Sequence, residues 1–505
     1  MMDRHMLAEE FRGARVTVMG LGLHGGGVAS ARFFARMGAR VTVTDLRSPD
    51  ILAPSLKALE EFDIRYVLGQ HREEDFAAAD IVIKNPAVRA DSPFLQKARR
   101  VETDISIFLA HSQSPLIAVT GSKGKSTTAS ALAHVLREVR RPVLLGGNIT
   151  VSPLDFLEQT SPDVTVVLEL SSWQLGDLRG KGILKPRIAI LTCIYPDHLD
   201  YYGSMEAYVA DKKVLFESLE PESFAICNAD QEWSRFCVRD TRANILWFHD
   251  SLSSGLETTG LADIAPAFGG WLAPQSSSNG QTARPHDSAH TSLAGYGRLP
   301  GSSEVELLVP AELKVPGMHQ KMNLLAAALG LRAYGIGAEE IASALACFPG
   351  IPHRLEYVAS CREVHYYNDS AATIPDAAIA AVESFEAPVI LIAGGSDKKS
   401  DFSAFADKAS ALKRLILLAG SGTDRLIPLL NQRRVPFLGP FGSMAEAVHA
   451  ASQSAREGDV VLLSPGCASF GMFLHEFARG DAFREAVRQL CPAEAQNSSP
   501  AQGQG

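Results

Sequence analysis

No run of about 18 apolar residues occurs in this 505-residue chain, so no segment of it is written as a membrane-spanning helix. Met1 to Arg12 carry charges of both signs without an apolar core, a pattern that does not predict a signal peptide. A basic excess is missing as well: 48 Lys and Arg against 57 Asp and Glu leave a formal net charge of −9, which argues against a nucleic-acid binder. Cysteines are few and unpatterned. The seven between Cys193 and Cys491 include no Cys-x-x-Cys pair, and an odd, scattered set suits a reducing compartment better than a disulfide framework. These absences predict a cytoplasmic protein with neither membrane nor nucleic acid as partner, and a monomer by default. What remains, 46% hydrophobic and 21% charged residues, describes an ordinary globular chain long enough for three domains.

The most informative stretch begins at Pro115. Leu116 to Val119 is a short, partly β-branched apolar run, and Gly121 and Gly124 then let the backbone turn without a Cβ. Ala129, Leu132, Ala133 and Leu136 follow at helical spacing. Strand, glycine loop and helix make the geometry in which free N–H groups and a helix N-terminus receive phosphate. Lys125 is placed for the terminal phosphates and the Ser126 hydroxyl for Mg2+. Val119 stands where the usual motif has its first glycine, so the match is to a shorter Gly-x-x-Gly-Lys-Ser-Thr form. A chance Gly-Lys-Ser in a plain loop is the bland alternative, and the flanking strand and helix disfavour it.

Upstream, Arg15 to Gly20 reads as a strand, Gly20-Leu-Gly22-Leu-His-Gly25 as a glycine turn, Val28 to Met37 as a helix and Val41 to Asp45 as a second strand. That is a dinucleotide fingerprint with an acid about 20 residues on, and it supports a nicotinamide-dependent dehydrogenase as a competing reading. The same geometry receives any diphosphate, including that of a UDP-sugar. Strands at Arg65 and Asp80 continue the sheet, and this first domain is expected to end near residue 110.

Beyond the phosphate loop, Pro142 to Leu145 is a strand and Gly146-Gly147-Asn148 a loop at its end. Asp163 to Glu169 is an apolar strand closed by a carboxylate, well placed for Mg2+ beside a phosphate loop. His198 lies just past the strand Arg187 to Ile194, on the same kind of rim. Between Ser204 and Leu219, Met205, Tyr208, Val209, Leu215, Phe216 and Leu219 make one helical stripe on which Lys212 falls, while Lys213 falls off it and is expected to be solvated. Lys212 is either a stem lying on the core with its ammonium outward, or a desolvated amine of lowered pKa that can take up CO2 as a carbamate and so become a Mg2+ ligand.

Residues 250–303 are rich in Ser, Gly, Pro, Thr and Ala and read as a surface excursion of little order. Pro349 to Pro352 is a hinge into a last domain whose strand exits carry Asn368-Asp369-Ser370, Gly394-Gly-Ser-Asp-Lys398, Gly420-Ser-Gly422 and Ser464-Pro-Gly466. The expected fold is α/β in three domains: Rossmann-like over 1–110, P-loop ATPase-type over 111–350 with the 250–303 insertion, and Rossmann-like over 351–491, before a disordered tail, 492–505.

Taken together, these stretches resemble the Mur ligases of peptidoglycan synthesis, and among them the D-glutamate-adding branch, over about residues 14–491 apart from the insertion. The likeness rests on Gly20-Leu-Gly-Leu, Thr120 to Thr127, Gly146-Gly-Asn148, Leu168-Glu-Leu-Ser-Ser-Trp-Gln-Leu175, Asp197-His-Leu-Asp200, Gly350-Ile-Pro-His-Arg354, Asn368-Asp-Ser370 and Leu463-Ser-Pro-Gly-Cys-Ala-Ser469. It implies that ATP phosphorylates the carboxylate of UDP-N-acetylmuramoyl-L-alanine and that D-glutamate displaces the phosphate. It further implies that Gly121, Ser122, Lys123, Gly124, Lys125, Ser126 and Thr127 hold ATP, and that Asn323, Arg354 and Asp369 hold the nucleotide across a domain interface. Two Mg2+ ions are implied, one on Ser126 and Glu169, the other on His198 and N6-carboxylated Lys212, with Lys125, Glu169, His198 and Lys212 as the catalytic set. Leu23, His24, Asp45, Arg47, Asn148 and Ser171 are implied for the UDP-sugar, and Thr373, Lys398, Ser469 and Phe470 for D-glutamate.

Three positions depart from the family pattern: Lys123 replaces a frequent asparagine, Ala371 a lysine whose role could pass to Lys399, and Glu476 an aromatic over the D-glutamate site. A sibling ligase for another amino acid, the dehydrogenase and a non-catalytic UDP-sugar binder are the competing readings. The dehydrogenase leaves the phosphate loop, Glu169 and His198 unexplained.

Overall fold

A computed structural model describes residues 4–23, 25–148, 151–250, 268–274, 293–397 and 400–491. The chain divides into two compact units, Met1–Glu312 with Lys321–Ala346, and Leu313–Gln320 with Cys347–Gly505.

The first unit contains two sheets. A five-stranded parallel sheet runs in the order Ile64–Leu68, Arg40–Asp45, Arg15–Met19, Ile81–Lys84, Val101–Glu102. The phosphate loop belongs to a nine-stranded sheet. There Leu116–Thr120 lies between Thr165–Glu169 and Ile188–Leu191, all parallel, with Val143–Gly147 at one edge. These central strands are buried along their whole length, as apolar runs covered on both faces must be. Since Val119 pairs with Glu169 on one side and with Ile190 on the other, the three strands end level. The loops that follow them therefore share one rim.

The 250–303 reading needs correction. Gly269–Pro274 and Leu293–Arg298 are strands of the large sheet, with Leu272, Leu293 and Ala294 buried. Their alternation is disguised by glycine: a Cβ would press into Leu329 at Gly270, into Val309 at Gly295 and into Leu308 at Gly297. Residues 251–267 and 275–292 of the insertion and the tail from 492 lie outside the described residues. Gly146 and Gly147 likewise belong to the strand Val143–Gly147 rather than to a loop after it.

The second unit is a six-stranded sheet ordered Glu356–Cys361, Val364–Asn368, Val460–Leu463, Val389–Gly394, Arg414–Leu418, Phe437–Phe441, parallel except for its first strand. Cys361 and Cys491 form a disulfide across 130 residues of sequence, and the other five cysteines are free. Cys361 ends the antiparallel edge strand and Cys491 caps the last helix, Glu476–Leu490, which packs on it. Among the described residues, no helix is long and apolar enough to cross a membrane.

Candidate functional site

The phosphate loop is pinned from outside. The Ser122 amide donates to Cys193 O at 2.7 Å, Ser122 Oγ to Tyr195 O at 2.9 Å, and Thr192 Oγ1 to Lys123 O at 2.6 Å. Gly121 (φ 149°) and Gly124 (φ 84°) leave no room for a side chain: a Cβ would stand 2.0 Å from Thr192 Oγ1 or 2.2 Å from Asn323 Oδ1. The helix Lys125–Glu138 then starts without a side-chain cap, which leaves its first amides for an anion. Asn323 closes on this loop, its carbonyl taking Thr128 Oγ1 at 3.3 Å.

Lys125 and Lys212 both fold onto the loop. Lys125 Nζ donates to Gly121 O at 3.0 Å and Ser122 O at 3.1 Å, and Lys212 Nζ to Gly121 O at 2.9 Å. Burial lowers the pKa of Lys125, with the Glu169 carboxylate opposing. Burial, and then the charge of Lys125, bring Lys212 down to about 7. Only 1% of Lys212 is exposed, so its stem does not carry the ammonium out to water. Tyr208 lies beneath, its ring centroid 4.7 Å from Lys212 Nζ and its hydroxyl 2.9 Å from Ser122 Oγ. Burial pushes that phenol up to about 12. Lys213, expected to be solvated, is instead mostly covered: its Nζ pairs with Asp240 at 2.5 Å and lies over the Phe236 ring. The neighbouring helix Glu232–Val238 covers that side.

Glu169 is buried at the exit of its strand. Oε1 accepts from Asn148 Nδ2 at 3.0 Å, and Oε2 has no partner among the described residues. An orphaned buried carboxylate oxygen beside a phosphate cradle fits a divalent cation. No three His, Cys, Asp or Glu side chains are gathered for a metal among the described residues, so the other ligands of a cation at Glu169 would be the Ser126 hydroxyl and the phosphates. His198 has a left-handed backbone (φ 52°), and its ring packs on Trp173 at 4.7 Å and Tyr208 at 6.5 Å. Lys123 extends outward and pairs with Asp197 at 3.7 Å.

On the first domain's rim, the Asp45 carboxylate accepts from the amides of Gly22 at 3.0 Å and Arg47 at 2.9 Å, so the acid shapes the glycine turn. Leu23 is exposed beside it, and His24 lies outside the described residues. Ser171 caps the helix Ser172–Leu178 reciprocally with Gln174.

In the second unit, Asp369 accepts from the Leu355 amide at 3.2 Å and from Ser464 Oγ at 2.7 Å, and burial raises its pKa to about 6. Arg354 is exposed, Ser469 buried, Thr373 half-buried and Phe470 62% exposed. Lys398 and Lys399 lie outside the described residues. Sequence reading missed Arg479. This guanidinium is 1% exposed and donates to Ser370 Oγ at 3.0 Å, Ser370 O at 2.8 Å and Cys467 O at 3.0 Å. It thereby ties the Asn-Asp-Ser loop to the Ser-Pro-Gly-Cys loop. Its sequence signal was faint: an arginine four residues before the buried Phe483 on one helix.

Three family models match the chain: a Mur ligase MurD-like N-terminal domain over 14–107, a Mur ligase middle domain over 119–257 and a Mur ligase glutamate ligase domain over 353–467. The UDP-N-acetylmuramoylalanine--D-glutamate ligase of Treponema pallidum is 40% identical across 94% of this chain and 98% of that protein. The protein of the same name from Roseiflexus sp. is 40% identical across 95% and 100%. Among solved structures, the UDP-N-acetylmuramate-alanine ligase of Thermotoga maritima shares the fold at TM-score 0.53 and 19% identity, covering 94% of this chain and 99% of that one.

Proposed function

The chain belongs to the Mur ligase family, and we propose that it joins D-glutamate to UDP-N-acetylmuramoyl-L-alanine at the expense of ATP. The observation that carries this reading is the rim where a phosphate cradle, the orphaned Glu169 oxygen and two converging lysines meet, in a chain alike at full length to D-glutamate ligases.

The substrate carboxylate attacks the γ-phosphorus, ADP leaves, and the carboxyl carbon becomes an acyl phosphate. The D-glutamate amine, having lost a proton, attacks that carbon, and phosphate departs with the oxygen that bridged it. Little covalent chemistry falls to the protein, so its work is positioning and charge neutralisation. Gly121 to Thr127 cradle the phosphates through free amides, and Lys125 leaves its carbonyl partners for the terminal phosphates. Asn323, Arg354 and Asp369 hold the rest of the nucleotide. Mur ligases use Mg2+, which when bound offsets the charge of the phosphates. Ser126 and Glu169 would hold one ion, His198 and a carboxylated Lys212 a second.

The first domain, to about residue 110, takes the UDP-sugar with Leu23, His24, Asp45 and Arg47, Ser171 adds to that site, and Asn148 meets the muramoyl arm. The last domain, from about residue 351, takes D-glutamate with Thr373, Lys398, Ser469 and Phe470. A cytoplasmic monomer is the setting we propose, supported by the acidic net charge and the reaction's soluble substrates. Heavy-oxygen label placed in the substrate carboxylate tests the route. The acyl phosphate delivers one labelled oxygen to the released phosphate; unlabelled phosphate would exclude it.

A further inference from the structure

We propose that Arg89, Tyr201 and Trp173 form a stacked column that positions the His198 imidazole and ties its placement to the sugar-nucleotide domain. The inference rests on the reaction above, in which His198 would hold an Mg2+ ion. Metal-binding histidines are usually oriented by a hydrogen bond to the second ring nitrogen. Among the described residues, neither ring nitrogen of His198 makes one, and the nearest carboxylate oxygen, on Asp197, stands 3.9 Å away. Packing must then do the orienting. The Trp173 ring lies 4.7 Å from that of His198 at 40°, and Tyr201 lies 5.4 Å from Trp173. The indole Nε1 is buried without a partner among the described residues, so no polar contact fixes Trp173 either.

The column continues into the first domain. The Arg89 guanidinium sits 4.8 Å from the Tyr201 ring centroid, a cation–π contact. Asp91 sets the plane of that guanidinium, taking Nε at 3.1 Å and Nη2 at 3.1 Å. Arg89 follows the exit of the strand Ile81–Lys84, where Asn85 Nδ2 reaches Gly20 O of the glycine turn at 3.5 Å. Lys84 itself is buried and paired with Asp177 at 2.8 Å, on the helix Ser172–Leu178 that carries Trp173. A hydrogen bond at Asn85, the short stretch of chain from Asn85 to Arg89 and the ring contacts beyond it thus link the glycine turn to His198, and a ligand that settles the turn bears on the imidazole.

A double-mutant cycle tests this by calorimetric binding of a non-hydrolysable ATP analogue with Mg2+. Trp173→Ala should weaken binding about tenfold in the otherwise intact protein, but less than about twofold when His198 is already alanine. Trp173→Phe, which keeps a ring in place, should stay within about twofold of the parent and guards against mere loss of fold. Arg89→Ala, a surface change, should cost about threefold. Equal losses from Trp173→Ala in both backgrounds, or parental binding by Arg89→Ala, would overturn the proposal. Because binding requires no turnover, a failed ligase assay would sink the reaction while leaving this test readable.

Discussion

Lys212 Nζ and Lys125 Nζ donate to one and the same oxygen, the carbonyl of Gly121, at 2.9 and 3.0 Å. A buried and a half-buried ammonium on one acceptor repel, and the deeper of them gives way. Burial first and the Lys125 charge second bring Lys212 to about 7, so that near neutrality much of it is a free amine. A free amine facing a phosphate loop is the form that takes up CO2.

Lys212→Ala should therefore slow the chemical step heavily, by an amount on the order of several kcal/mol. A short-chain carboxylic acid should restore part of the rate by filling the space as a carboxylate. Lys213→Ala, which loses only the Asp240 pair, should leave turnover nearly unchanged. Near-normal turnover by Lys212→Ala, or equal rescue by a short-chain alcohol, would rule out the carbamate.

Asp369 gives a pH signature. Burial raises its pKa from 3.8 to about 6, so the folded state holds this proton more tightly than the unfolded chain does. Its contribution to stability is full below about 3.8 and is lost as pH rises through about 6. In the proposed role of Asp369, nucleotide binding uses the carboxylate and should run the other way, strengthening as pH rises through that range. Titration with ADP on either side of about pH 6 should show a larger change for the parent than for Asp369→Asn. Identical pH dependence in the two proteins would remove Asp369 from the nucleotide site.

Arg479 should matter twice. Arg479→Ala leaves two buried carbonyls and a hydroxyl short of a donor, a loss of about 2–4 kcal/mol in a thermal or denaturant melt. Because it ties the Asp369 loop to the Ser469 loop, the KM values for ATP and D-glutamate should rise together. A less stable protein with both KM values unchanged would make Arg479 purely structural.

Much of this was legible in the sequence where chemistry and period coincide. Leu116–Thr120 with its glycines, Glu169 at a strand exit and Lys212 on an apolar stripe were read from local pattern, and each stands on the same rim. Long-range pairing was not legible. The edge strand Glu356–Cys361 is only half-buried, so its alternation is weak, and its bond to Cys491 depends on a helix that returns 130 residues later. Phe437–Phe441 carries a glycine and a proline and faces solvent over its middle, which hides an edge strand. Gly270, Gly295 and Gly297 are silent to hydrophobic pattern because their use is to admit Leu329, Val309 and Leu308. Arg479 escaped notice because nothing local announces that two loops need its donors.

The most direct test of the account is phosphate release with ATP, Mg2+ and UDP-N-acetylmuramoyl-L-alanine against a panel of D- and L-amino acids. The account predicts rapid release with D-glutamate and little with L-glutamate, L-alanine or diaminopimelate. Ala371 and Glu476 depart from the family pattern beside the residues proposed for D-glutamate, so the panel probes the least conventional part of that proposal. Preference for any amino acid other than D-glutamate, or release that ignores the amino acid altogether, would contradict it.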